Sequence, residues 1–148
     1  MLSSILPTAS DGVANLSSDP RAASSWYLNV STRSEIKLDV ESVWEDYSGE
    51  GVKVGVVDSQ IDFKHVELAD AYDTSADFNF ALGTGDFSIN SRAMGDSHGT
   101  LVAGVIAAEG GNGLGSVGLA HGVTLVGLAI DYRSSSVLDQ ARCCCGNR

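Results

Sequence analysis

Two short apolar runs with one helical stretch between them constrain this chain more than any other feature. Lys53-Val54-Gly55-Val56-Val57 is rich in β-branched residues, bounded by Gly51 and Asp58, and without polar alternation. That pattern predicts a strand covered on both faces. From His98 the period turns helical. Leu101, Val102, Val105 and Ile106 fall on one face, Ser97 stands in the N-cap position, and Gly110-Gly111 marks the stop. Past the Gly-rich segment 110–118, Thr124 to Ile130 is a second strongly apolar strand candidate. Strand, helix, strand is the signature of an α/β fold on a parallel sheet.

The remaining elements are slighter. A short helix is expected over Val40 to Tyr47, with Asp39 as its cap and Gly49 as a left-handed residue after it. Asp73 to Asp96, rich in Asp, Ser, Gly and Asn, reads as loop with a brief strand near Asp77 to Phe80. Residues 1–25 are an irregular lead-in. Trp26 and Trp44 are expected to pack under the lead-in and the first helix. The net charge of −10 argues against nucleic acid, whose phosphates are bound by Lys and Arg. Excess acid also supplies oxygen ligands for a hard cation. No run reaches the about 18 apolar residues of a membrane span, so no membrane is expected as a partner. Met1 to Ser10 has no basic start and no adequate apolar core, so no signal peptide is recognisable. Cys143, Cys144 and Cys145 are adjacent, with the spacing of neither a zinc site nor a redox pair.

Two side chains stand where chemistry gathers. Asp58 closes the first strand, and in parallel α/β sheets functional groups collect at the carboxyl ends of strands. His98 opens the helix, where the positive end of the dipole favours a neutral ring, the form a general base needs. Asp before His is one of the chain orders found in Ser-His-Asp triads. Each feature alone is weak, because Asp ends strands as a turn former and His opens helices as a polar surface residue.

The flanking words are more specific. Val56-Val57-Asp58-Ser59-Gln60-Ile61-Asp62, with His65-Val66-Glu67-Leu68 after it, resembles the aspartate box of the subtilisin-like serine peptidases. Asp96-Ser97-His98-Gly99-Thr100-Leu101-Val102-Ala103-Gly104 resembles their histidine box, and Gly113 to Ala120 is similar to the segment that follows it. Asp19-Pro20, Trp26-Tyr27-Leu28, the Leu38-Asp39-Val40 helix start, Tyr47-Ser48-Gly49-Glu50-Gly51-Val52 and Tyr72-Asp73 bring it nearest the kexin/furin-type branch. The resemblance implies an incomplete, doubly wound, mostly parallel sheet with an exposed edge and an uncovered apolar face. Residues 19–142 are then the N-terminal part of a peptidase domain, 1–18 the lead-in and 143–148 an atypical tail.

It also implies serine-type proteolysis of protein or peptide substrates, with Asp58 orienting His98 and His98 moving the nucleophile's proton. No Ser has the family's Gly-Thr-Ser-x-Ala context. Ser134, Ser135 and Ser136 come too early, and the oxyanion Asn is not identified either. A frameshifted or truncated end is expected, and a catalytically inactive chain that at most binds peptides or partners is the alternative. Three positions depart from the family: Gln60 replaces a usual Gly, Leu101 a usual His or Arg, and Ser59 an acidic residue frequent in the kexin/furin branch. Family members are commonly secreted, which points outside the cell.

The resemblance further implies a structural calcium ion. Its side-chain ligands would be Asp19, Glu67 (where Asp is usual) and Asn112, completed by the carbonyls of Glu109, Leu114 and Ser116. The same loop spells Gly113-x-Gly115-x-x-Gly118, a dinucleotide fingerprint, but that motif must follow a strand and open a helix. His65 and His121 are expected in a turn and a loop, with no zinc spacing. The oligomeric state is left open.

Overall fold

The computed structural model describes residues 18–28, 38, 40–80, 82–83 and 97–131. Asp39, Asp96, Ser134 to Ser136, the three cysteines, residues 1–17 and the 143–148 tail lie outside the described residues.

Three parallel strands form the sheet: β1 (Lys53–Asp58), β2 (Phe78–Asn79) and β3 (Thr124–Ala129), in spatial order β1-β3-β2. A short helix α1 (Val40–Trp44) precedes β1, and α2 (His98–Ala107) lies between β2 and β3. Lys53 pairs with Thr124 and Asp58 with Ala129, so the two long strands end level with one another. The parallel α/β architecture read from the sequence is therefore present, with β3 one residue shorter than expected.

β1 departs from expectation, because it is covered on one face only. Val56 is buried and Val54 packs against the core, while Lys53, Gly55 and Val57 are exposed. Three valines in five residues hid a true alternation, since Gly55 and Val57 share the open face. β3, in the middle of the sheet, is buried at Leu125, Val126, Gly127 and Ala129.

The helical face also differs from expectation. Gly99, Ala103 and Ala107 form the buried stripe of α2, Val102 and Ile106 pack beside it, and Leu101 is exposed. Close approach explains the difference. A Cβ on Gly99 would lie 2.3 Å from the Ser59 carbonyl oxygen, so the helix meets the exit of β1 backbone to backbone and only small residues fit between. The core joins Val56, Ile61, Leu68, Ala103, Ala107, Val123 and Leu125. The fully buried Leu68 and Leu125 each contribute roughly 1.5–3 kcal/mol by leaving water.

α2 ends at Ala107, before Gly110-Gly111. Its last carbonyls find partners in the returning chain, where the N–H groups of Gly118, Leu119 and Ala120 donate to Ala108, Val105 and Ile106. These bonds replace a glycine C-cap and dock the Gly-rich segment onto the helix end. Gly118 must be glycine there, since a Cβ would sit 2.4 Å from the Ala107 nitrogen.

α1 is shorter than expected, and Gly49 (φ +93°) forms a later turn beneath Val123. Trp44 is buried as expected, and its indole N–H donates to the Leu119 carbonyl at 2.9 Å. Trp26, expected to pack, is 74% exposed; its neighbour Tyr27 takes the buried place and donates to the Val117 carbonyl at 3.0 Å. Between the Tyr72–Leu125 bridge and β2, the chain leaves the sheet as a short 3-10 turn, Thr74–Ala76. Asp77 then fills the missing ladder position, its carboxylate accepting the Gly127 N–H at 2.7 Å.

Candidate active site and acidic loop cluster

The end of β1 and the start of α2 are brought together by the backbone contact at Gly99. Asp58 is largely buried and His98 largely exposed, at 16% and 66% side-chain exposure. His98 Nδ1 lies 2.8 Å from Asp58 Oδ1 and 2.9 Å from Oδ2. The Ser59 N–H also donates to Asp58 Oδ1, at 2.7 Å. A carboxylate held by a backbone N–H and facing Nδ1 favours the tautomer that carries its proton there. The two residues singled out from the sequence are thus a hydrogen-bonded pair 40 positions apart in the chain.

The neighbours of the pair are bonded in ways the sequence did not indicate. The Ser97 backbone accepts the Leu101 N–H, but its hydroxyl makes no capping bond. The cap comes from the other side of the contact, as Ser59 Oγ accepts the Gly99 N–H at 2.8 Å. Thr100 Oγ1 in turn accepts the N–H of Asp62 at 2.9 Å. Sequence reasoning noted Ser59 only as a departure from the family and did not single out Thr100. Gln60, in place of the usual Gly, is accommodated: among the described residues no non-glycine has positive φ, and Gln60 is buried with Oε1 unpartnered.

The residues expected to hold calcium form a second cluster. Asp19 is buried, and its carboxylate accepts the N–H groups of Gly111 at 2.7 Å and Gly113 at 3.0 Å. The Arg21 N–H donates to the Gly115 carbonyl, so the 111–115 loop wraps around the Asp19 turn. Glu67 is buried with Oε2 unpartnered. Burial, with the nearby Asp19 and Glu109 charges, raises its pKa above the ordinary carboxylate value, while His65 and Asn112 oppose the shift. The Asn112 amide donates to Glu109 Oε2 at 3.3 Å, and its oxygen accepts the Leu114 N–H. Gly115 makes room for the longer Glu67, since a Cβ there would lie 2.9 Å from the Glu67 Cδ. Ser116 bonds through its hydroxyl to Ser25 at 2.6 Å.

Among the described residues no group of three or more His, Cys, Asp or Glu side chains is arranged to hold a metal. The expected set has only two carboxylates among its ligands, Asp19 and Glu67, and depends on amide and carbonyl oxygens for the rest. Its donors nevertheless fit a hard cation: two buried carboxylates close together, one oxygen unpartnered, and a glycine cradle around it.

The dinucleotide reading fails on context. Gly113 and Gly115 have positive φ and belong to the loop around Asp19 and Glu67, and the chain then runs into β3 without a helix. His65 lies in a turn, its Nδ1 accepting the Glu67 N–H, and His121 packs edge-on to Trp44. No described helix is long and apolar enough to cross a membrane.

Comparison with known proteins decides the family: the subtilase model matches residues 49–141. The chain belongs to the subtilase family of serine peptidases. It is 32% identical over 123 residues to neuroendocrine convertase 2 of Bos taurus, covering 74% of this chain and 18% of that protein. To furin of Homo sapiens it is 34% identical over 112 residues, covering 74% of this chain and 14% of furin. The serine protease of Aeromonas sobria, solved in complex with a chaperone, superposes with a TM-score of 0.62 at 28% identity, covering 84% of this chain and 22% of that one. The kexin/furin-type subtilases are thus the relatives of this chain, and the small parallel sheet is an incomplete subtilisin-like α/β fold. The chain spans less than a fifth of the length of either curated relative.

Proposed function

We propose that Asp58 and His98 are the acid–base half of a subtilisin-type serine endopeptidase site. The observation that carries this reading is the Asp58–His98 contact at 2.8 Å, at the carboxyl end of a parallel strand. With its Nδ1 proton held by Asp58, the ring uses its other nitrogen to take the proton of a serine hydroxyl as that oxygen attacks a peptide carbonyl. The same proton then passes to the leaving amine as the C–N bond breaks. The 148 residues contain no Ser in the family's nucleophile context. Hydrolysis therefore depends on a serine from a longer reading frame, and these residues alone are inactive, at most binding peptides or partners.

Asp19, Glu67 and Asn112, with carbonyls of Glu109, Leu114 and Ser116, would hold a structural calcium ion. When bound, the ion supplies positive charge that offsets the buried carboxylates, tying the N-terminal turn to the loop after α2. Proteins or peptides are the substrate class, and the family points to an extracellular setting.

The experiment is to read the coding DNA beyond codon 148 in all three frames and to express any product that carries a Gly-Thr-Ser-x-Ala box. That product should cleave a fluorogenic peptide, and His98→Ala should lower kcat by about 10⁶. Unchanged kcat after that substitution, or His98-dependent cleavage by the 148-residue chain itself, would overturn the reading.

A further inference from the structure

The backbone N–H of Gly99, one residue past His98, is an orphan donor of the first turn of α2. It is satisfied by Ser59 Oγ at 2.8 Å, in a buried contact from the residue that follows Asp58. The Ser59 N–H meanwhile donates to Asp58 Oδ1 at 2.7 Å. One residue thus holds the carboxylate through its backbone and the base-bearing helix through its side chain. Ser97, in the N-cap position, makes no side-chain cap bond, so the α2 cap that the structure shows comes from across the contact. Thr100 Oγ1 and the Asp62 N–H make a second bond between the same two segments, farther from Asp58.

We infer that Ser59 is a positioning residue that sets the register of His98 Nδ1 against the Asp58 carboxylate by capping α2 in trans, resting on the acid–base reading above. Three observations support it. Gly99 admits no side chain, so the helix turn and the Ser59 carbonyl are in contact and a small displacement of one moves the other. Ser59 is buried, so its hydroxyl is shielded from competing water. His98 stands at the first position of α2, so the anchor on the next residue's N–H sets where its ring meets Asp58.

The test uses the full 148-residue chain, with imidazole ¹⁵N shifts reporting the His98 tautomer and amide exchange reporting the Gly99 N–H. In the unsubstituted chain the Nδ1–H form should dominate. Ser59→Ala should speed Gly99 exchange by about fivefold, the loss of one ordinary hydrogen bond, and bring the two tautomers to comparable populations. Ser59→Thr keeps the acceptor and should restore both signals. Thr100→Val removes the outer bond and should leave the His98 tautomer within twofold of the parent. Asp58→Asn should invert the tautomer.

If Ser59→Ala leaves His98 unchanged while Asp58→Asn moves it, the positioning role is overturned and the acid–base pair stands. If Asp58→Asn moves nothing, the acid–base reading itself falls. An equal effect of Thr100→Val would reduce Ser59 to general helix docking and overturn the assignment. Should Ser59→Ala unfold the chain, Ser59→Cys, with its weaker acceptor, takes its place under the same outcomes.

Discussion

The strand end and the acidic loop cluster both gather carboxylates, and they treat them oppositely. Asp58 is matched within the protein, with both oxygens facing a histidine nitrogen and one also receiving a backbone N–H. Glu67 is buried beside Asp19 and keeps one oxygen unpartnered, so its ionised form is penalised. A buried charge without a partner costs several kcal/mol or remains protonated. The first carboxylate is matched by partners within the protein, whereas the second keeps an oxygen that no described residue satisfies.

Four measurements test that contrast. The largest effect belongs to the contact that assembles the first site. Gly99→Ala drives a methyl into the Ser59 carbonyl and should destabilise the chain by about 3 kcal/mol. Denaturant unfolding measures it, and a cost below about 1 kcal/mol would show that α2 does not need its close approach to β1.

Calcium should come next. At a hundred times its dissociation constant it stabilises by about 2.7 kcal/mol, read as a rise in Tm that Glu67→Gln or Asp19→Asn abolishes. An equal rise in those variants, or none in the parent at millimolar calcium, removes the cation from the second site.

A smaller effect is the pH dependence without calcium. Glu67 is raised from its ordinary 4.5, so as pH climbs past 4.5 the unfolded chain loses its proton first and stability falls. Calcium favours the ionised form and should reverse that slope. Asp77, raised mainly by burial, gives the same sign with or without calcium. Only the calcium-dependent part should therefore vanish in Glu67→Gln, and a slope that calcium leaves unchanged would contradict the contrast.

The smallest belongs to His121, lowered from 6.5 by burial, with Nδ1 unpartnered. The unfolded chain takes up its proton first as pH drops, so stability present above 6.5 should decline below it. His121→Phe, which keeps the ring contact with Trp44, should flatten that decline in a urea titration at pH 5 to 7. An unaltered profile would place the decline elsewhere.

The order of elements, the parallel sheet, and the two residues that meet at its end were all legible in the sequence. Each rests on local chemistry: β-branched runs, glycine punctuation, and motif words around Asp58 and His98. Composition alone could not tell which face of β1 is open, because Gly55 and Val57 interrupt no apolar pattern yet share that face. The buried stripe of α2 was hidden for a related reason. Hydrophobicity pointed to Leu101, while the 2.3 Å clearance at Gly99 selected Gly99, Ala103 and Ala107. Tertiary structure alone decided that Ser59 rather than Ser97 caps α2, that the 118–120 backbone closes its far end, and that Glu67 is buried with an oxygen left unpartnered. Those outcomes depend on groups meeting across gaps of 10 residues at Gly118–Ala108 to 40 at Ser59–Gly99, and no local periodicity or spacing records where a distant N–H will point.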